Sequence, residues 1–150
     1  WAPARRSSNV KYWPDARWAA VARGIRQALP QAAVIICGSS QETRLASSIE
    51  ALAGEGVCSA AGELPLPRLL ALQERAHSMV SVDTGPAHSA AALGCPLVML
   101  FSSPDVSLYA PYWAASALSV LTPATPDSDP PLMSVEPGTV IEAWRNLRPR

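Results

Sequence analysis

The segment Asp83-Thr84-Gly85-Pro86-Ala87-His88 gathers residue types that can hold an anion. Gly85 lets a ligand approach the backbone closely, Pro86 suits the first residue of a helix, and Thr84 and His88 add a hydroxyl and an imidazole to the same turn. Helix N-terminal N–H groups with one hydroxyl and one imidazole form a seat for a diphosphate, each charge-assisted bond contributing about 1.5–3 kcal/mol. Asp83 does not fit that role, because a carboxylate beside a diphosphate is repelled; sugar hydroxyls or the N–H groups of its own loop are its expected partners. The same spacing also describes an ordinary strand-to-helix turn in which the Asp holds the loop and the His is satisfied locally. The residues alone leave both readings open.

Glu42 follows the turn Gly38-Ser39-Ser40 at a helix start. A carboxylate there either complements the helix dipole or accepts hydrogen bonds from two neighbouring ribose hydroxyls. Lys11, the one lysine beside 11 arginines, precedes Trp13-Pro14 at a helix entrance, from which its ammonium either reaches a phosphate or lies in solvent. Gly62-Glu63 and Ser102-Ser103-Pro104-Asp105 are further strand-end segments of the same kind. His77, at a helix end beside a strand start, falls on the opposite edge and reads as structural.

Elements that would position these residues are legible in the periodicity. After Pro14, the residues Trp18, Val21, Ala22, Ile25 and Leu29 recur at helical spacing until Pro30. Ala32 to Cys37 is an apolar, β-branched run of the kind found in a strand covered on both faces. A helix is expected from about Gln41 to Ala53, a weaker strand over Val57 to Ala60, and a helix from Leu66 to about Ala76. Ser78 to Val82 and Leu97 to Phe101 read as strands flanking a small-residue helix, Ala87 to Leu93, and Ala117 to Leu121 as a fifth strand. The prolines of residues 122–138 argue against regular structure there, before a last amphipathic helix, Val140 to Leu147, that packs back through Val140, Ile141 and Trp144. Strands alternating with helices across short turns imply a parallel sheet, so the expected fold is a doubly wound, Rossmann-like α/β domain spanning residues 1–150. In such a sheet ligands bind outside the carboxyl ends of the strands, where the candidate residues fall. Trp1-Ala2 before Pro3 reads as the end of a strand whose beginning lies upstream.

Composition narrows the function. The 150 residues carry 12 basic and 12 acidic side chains and are 49% hydrophobic. Balanced charge gives no basic field for nucleic acid or anionic lipid, so nucleic acid is not an expected partner. The longest apolar stretch, Ala90 to Phe101, is broken by Gly94 and Pro96 and is too short to span a membrane. Cys37, Cys58 and Cys95, an odd number set in or beside apolar runs, read as buried free thiols of a reducing cytoplasm. The sequence holds no GxGxxG after a strand, no GxxxxGK[ST], CxxC, HExxH or GxSxG, and no carboxylate pair suited to glycoside hydrolysis.

Lys11-Tyr12-Trp13-Pro14, Gly38 with Glu42, Ala61-Gly62 before Leu66, and Asp83-Thr84-Gly85-Pro86-Ala87-His88-Ser89 continuing through Gly94-Cys95-Pro96 occur in this order. Together they resemble the C-terminal domain of the bacterial lipopolysaccharide heptosyltransferases, glycosyltransferase family nine, from about Pro3 to Pro111 and again over the last helix. The resemblance implies one half of a GT-B architecture, in which the C-terminal half binds ADP-L-glycero-D-manno-heptose and the N-terminal half binds the lipid A–Kdo or heptosyl acceptor. Carried over by motif, Lys11 contacts the donor phosphate, Glu42 the ribose, Thr84, Gly85 and His88 the diphosphate, and Asp83 the heptose hydroxyls. It implies transfer without a metal or cofactor and a catalytic base on the other half, hence none among these residues. It also implies a cytoplasmic enzyme that associates peripherally with the inner membrane. Ala4 and Ser102 depart from the family pattern, each standing where a glycine is usual, which weakens a phosphate-loop assignment around residues 4 to 10. Readings from other classes are a non-catalytic α/β module kept for protein contact and another nucleotide-sugar enzyme such as a UDP-sugar epimerase.

Overall fold

The computed structural model describes residues 10–103, 106–107, 109–111, 118–124 and 130–147. Ala4, the segment Pro104-Asp105 and all of the expected phosphate loop except Val10 fall outside these residues.

Elements alternate as the periodicity implies: α1 (Asp15–Ala28), β1 (Val34–Ile36), α2 (Thr43–Ala53), β2 (Val57–Ser59), α3 (Leu66–Arg75), β3 (Met79–Val82), α4 (Gly85–Ala92), β4 (Leu97–Leu100), β5 (Leu118–Leu121) and α5 (Pro137–Arg145). Every strand pair is parallel, with Val34 opposite Val57, Met79 opposite Leu97, and Leu97 opposite Leu118. Within each ladder the strands therefore turn their carboxyl ends the same way.

The two faces of the sheet are filled by alternate residues, as a period of two requires. Val98 and Leu100 point into a core with Trp13, Val21, Leu132, Val140 and Trp144, which α1 and α5 cover. Leu97, Met99 and Phe101 point the other way, against Ala87 and Ala91 of α4. Hence β4, covered on both sides, has no exposed residue, and each of its fully buried aliphatic side chains contributes about 1.5–3 kcal/mol.

Two expectations need correction. The run Ala32 to Cys37 is not covered on both faces: only Val34–Ile36 forms strand, and Ile35 is 40% exposed. The reason lies in the ladder. Among the described residues β1 pairs with β2, β3 with β4 and β4 with β5, and no ladder joins β1 to β3. Between those two edges lies a cavity of about 630 Å³, lined by β1, β3, Trp18 and Ile25 of α1, and Leu69 and Leu72 of α3. Secondly, residues 122–138 are not free of regular structure. Pro131–Ser134 forms a 3₁₀ turn and α5 begins at Pro137, because a proline at a helix's first position gives up an N–H that would have no partner there.

Cysteine burial also differs from expectation. Cys95 is buried, whereas Cys37 is partly buried and Cys58 exposed. Cys58 lies in the short strand β2, and Cys37 just beyond the end of β1. Burial, followed by the neighbouring Cys58, pushes the Cys37 thiol above its ordinary range.

The α1 entrance is fixed by Trp13, which is fully buried, meets Trp18 edge-on at 4.8 Å and donates from Nε1 to the Val135 carbonyl at 3.1 Å. Arg17 Nη1 donates to the same carbonyl at 2.6 Å. Trp13→Phe, which leaves that carbonyl bonded to Arg17, should lower stability by about 1–2 kcal/mol, and Trp13→Ala by roughly 3–5 kcal/mol, in urea unfolding. Equal losses in the two variants would show that the indole ring does not anchor the core. A thiol reagent at neutral pH should label Cys58 first, then Cys37, whose raised pKa holds it protonated, and Cys95 last; fast labelling of Cys95 would contradict its burial.

Candidate functional site

The carboxyl ends of β1 and β3 carry the site. At β3, the Asp83 N–H donates to the Leu100 carbonyl at 3.0 Å and so prolongs the β3–β4 ladder by one residue. The chain then turns at Thr84, whose extended backbone caps α4 while its carbonyl accepts from Ala87 and His88. The Thr84 hydroxyl does not cap the helix; Oγ1 donates back to the Val82 carbonyl at 3.2 Å. Pro86 carries no N–H, and Thr84 gives the head of α4, which begins at Gly85, no side-chain cap.

Asp83 is the centre of a cluster. Its Oδ2 lies 3.2 Å from Lys11 Nζ and its Oδ1 3.0 Å from His88 Nε2. Lys11 Nζ also donates to the Asp83 backbone carbonyl at 2.5 Å. The Asp83 side chain is 17% exposed, against 35% for Lys11 and 36% for His88, so the carboxylate is the more buried partner of both. Within the fold, the partners of the Asp83 carboxylate are the two side chains expected on a phosphate, Lys11 and His88. This juxtaposition has a clear chemical use: Asp83 orients an ammonium and an imidazole at the N-terminus of α4, where helix N–H groups add positive potential.

Glu42 closes the 3₁₀ turn Ser40–Glu42 that leads into α2. Its Oε2 accepts from the Ser39 N–H at 2.6 Å, so one oxygen serves the local cap; Oε1 makes no hydrogen bond among the described residues. Gly38 makes room for this folding back, since a Cβ there would stand 3.2 Å from Glu42 Oε2. The turn is stitched to the end of β2 by the Gly62 N–H, which donates to the Gly38 carbonyl at 2.9 Å. Gly62 itself has φ +80°, and a Cβ there would stand 3.1 Å from the Ser40 Cα. Lys11, Glu42 and Thr84 line the upper end of the inter-strand cavity together.

His77 lies where a structural residue was expected, at the amino end of β3: its Nδ1 is 3.1 Å from Ser78 Oγ, which also accepts from Trp144 Nε1 at 2.8 Å. Two participants escaped the sequence reading. Gln73 of α3 and Ser89 of α4 bond to each other and to the Pro86 carbonyl under the site. Gln73 occupies a core-facing position of a helical repeat, and that is the one signal the sequence held. No helix among the described residues is long and apolar enough to cross a membrane.

Comparison with known proteins yields concordant matches. The profile of glycosyltransferase family 9 (heptosyltransferase) matches residues 2–129. Lipopolysaccharide heptosyltransferase 3 of Escherichia coli is 30% identical over 93% of this chain and 44% of its own length, and that of strain K12 is 29% identical over 93% and 43%. The chain thus spans less than half the length of these relatives. Among solved structures, the family 9 glycosyl transferase of Veillonella parvula DSM 2008 superposes with a TM-score of 0.82 at 21% identity, over 97% of this chain and 43% of that one. E. coli ADP-heptose LPS heptosyltransferase II gives 0.74 at 26% identity, over 91% and 41%.

Gly85 separates a structural role from a binding one. A Cβ there would meet nothing within 4 Å, and its φ is not positive, so the fold places no demand for glycine at this position. Gly85→Ala should leave stability unchanged or raise it by up to about 1 kcal/mol in urea unfolding, while weakening the binding of inorganic pyrophosphate measured by titration. A loss of stability with unaltered pyrophosphate affinity would assign the glycine to the fold instead.

Proposed function

The chain belongs to glycosyltransferase family 9, and from that premise we propose that it is the donor-binding half of a heptosyltransferase, taking ADP-heptose for transfer to the lipopolysaccharide inner core. The observation that carries this reading is the Lys11–Asp83–His88 cluster at the N-terminus of α4, with Glu42 on the same sheet edge.

Each residue has a task in that reading. The Gly85 N–H meets the diphosphate, joined by the Thr84 hydroxyl once it turns from the Val82 carbonyl, with Lys11 supplying positive charge and His88 a ring nitrogen. Lys11 Nζ, held by the Asp83 carbonyl and Oδ2, brings its ammonium to a phosphate oxygen. His88 holds Asp83 through Nε2, and a phosphate can take a hydrogen bond from Nδ1 only where that nitrogen carries a proton. Asp83 retains lone pairs for heptose hydroxyls. Glu42 Oε1 accepts from the ribose while Oε2 keeps its cap on Ser39.

In this scheme no metal or cofactor is required, since helix N–H groups, the Lys11 ammonium and the His88 ring stabilise the departing ADP. The base that deprotonates the acceptor hydroxyl comes from a second half, which also holds the lipid A–core acceptor. Such an enzyme works in the cytoplasm, at the inner face of the membrane on which its acceptor is built.

Calorimetric titration of this chain with ADP, with UDP and GDP as controls at fixed salt, tests the proposal. ADP should bind selectively, and Lys11→Ala or His88→Ala should each weaken it by about 1–3 kcal/mol, as loss of a charge-assisted contact does. Unchanged affinity in both variants would remove the assigned site. A preference for UDP would redirect the reading to another nucleotide-sugar enzyme, and binding of no nucleotide would favour a non-catalytic module.

A further inference from the structure

Helix α4 presents a smooth buried face. Its buried residues are Ala87, Ala90 and Ala91, and single methyl groups make shallow ridges that let the helix approach β3 and β4 closely but define its rotation and axial height weakly. Directional contacts must set what packing leaves loose. They come from Gln73 of α3, which is 3% exposed and one of two buried polar residues among those described. Its Nε2 donates to the Pro86 carbonyl at 2.8 Å and lies 3.6 Å from Met79 Sδ. Its Oε1 accepts from Ser89 Oγ at 2.7 Å, and that hydroxyl is also 3.0 Å from the Pro86 carbonyl. The carboxamide is thus used at both ends, as a buried amide must be to avoid a desolvation penalty.

We propose that Gln73 is a positioning residue for the donor site: by gripping Pro86 and Ser89, one turn apart, it fixes the rotation and height of α4 and so aims the Gly85 N–H and the His88 imidazole at the ligand. Pro86 directly follows Gly85, and Ser89 directly follows His88, so each anchor sits beside one of the groups that faces the ligand. An apolar side chain of equal length fills the same space and holds α4 against the sheet, but it does not choose the helix's rotation. The inference rests on the reading of the α4 N-terminus as the diphosphate seat.

The test compares the parent chain with Gln73→Met, which keeps length and volume and removes both directional bonds, and with Ser89→Ala, which removes one of them from the helix side. Three readouts are taken: the urea midpoint, the NMR signals of the Gly85 amide and the His88 ring, and ADP affinity by calorimetry. Gln73→Met should fold cooperatively, move both NMR signals and weaken ADP about five- to tenfold, the scale of one net hydrogen bond. Ser89→Ala should act in the same direction by less, and the double variant should be no worse than Gln73→Met alone, because both changes break one network. Unmoved Gly85 and His88 signals together with parental ADP affinity would overturn the proposal and leave Gln73 as core filling. If the parent chain binds no ADP, the diphosphate reading itself fails, and the Gly85 and His88 signals still decide whether Gln73 orients the helix. If Gln73→Met does not fold, the same signals in Ser89→Ala decide it.

Discussion

The carboxylate of Asp83, held between Lys11 and His88, is the contact on which the arrangement of the site depends. It joins the approach to α1 with the end of β3 across 72 positions of sequence, and the end of β3 with the first turn of α4 across five. Its value is geometric more than energetic, since ion pairs at this degree of exposure add about 0–1 kcal/mol to stability. The holding energy comes from beneath, where Trp13, two residues beyond Lys11, is sealed in the core and tied to Val135. Stability and function are thereby divided: the indole keeps the segment in place, and the ammonium is left partly exposed.

Parallel strand order supplies the second constraint. Because every described pair is parallel, the turns after β1 and β2 leave together, the Gly62 N–H meeting the Gly38 carbonyl, and the turn after β3 shares a cavity with Glu42 through Thr84. The same order sets the α4 N-terminus beside that cavity. The gap between β1 and β3 exacts a local consequence. Without a ladder there, Ile35 is left part-exposed, and the cavity runs up to the side chains of Lys11, Glu42 and Thr84.

Small residues at α4 are a compromise between closeness and definition. Alanines bring the helix dipole near the sheet edge, which strengthens its field at an anion, yet they surrender the interlocking that larger side chains provide. The buried amide of Gln73 restores the definition. Polar groups in a core are costly when unsatisfied, and here each end of the amide is met. Glu42 shows a similar economy on the other side of the gap, with one oxygen stabilising its own turn and the other left to face the cavity.

Element type and order were legible in the sequence because they depend on short-range periodicity: the helical recurrence from Trp18 to Leu29, the apolar runs of β3 and β4, and the turn chemistry of Gly85-Pro86. The candidate residues at the strand ends followed from the same reasoning, since a parallel sheet puts those ends together whatever the side chains do. The proline-rich segment misled because prolines both forbid helix interiors and begin helices, and only position distinguishes the two at Pro131 and Pro137. What the tertiary structure alone decided are relations between segments far apart in sequence: that Asp83 takes Lys11 and His88 as partners, that Glu42 caps its own turn, that Gln73 reaches under Pro86, and that Cys58 lies exposed while Cys95 is buried. Periodicity specifies which face of an element is apolar, but a hydrogen bond is settled within a few tenths of an ångström, and that precision arises only when the elements have packed.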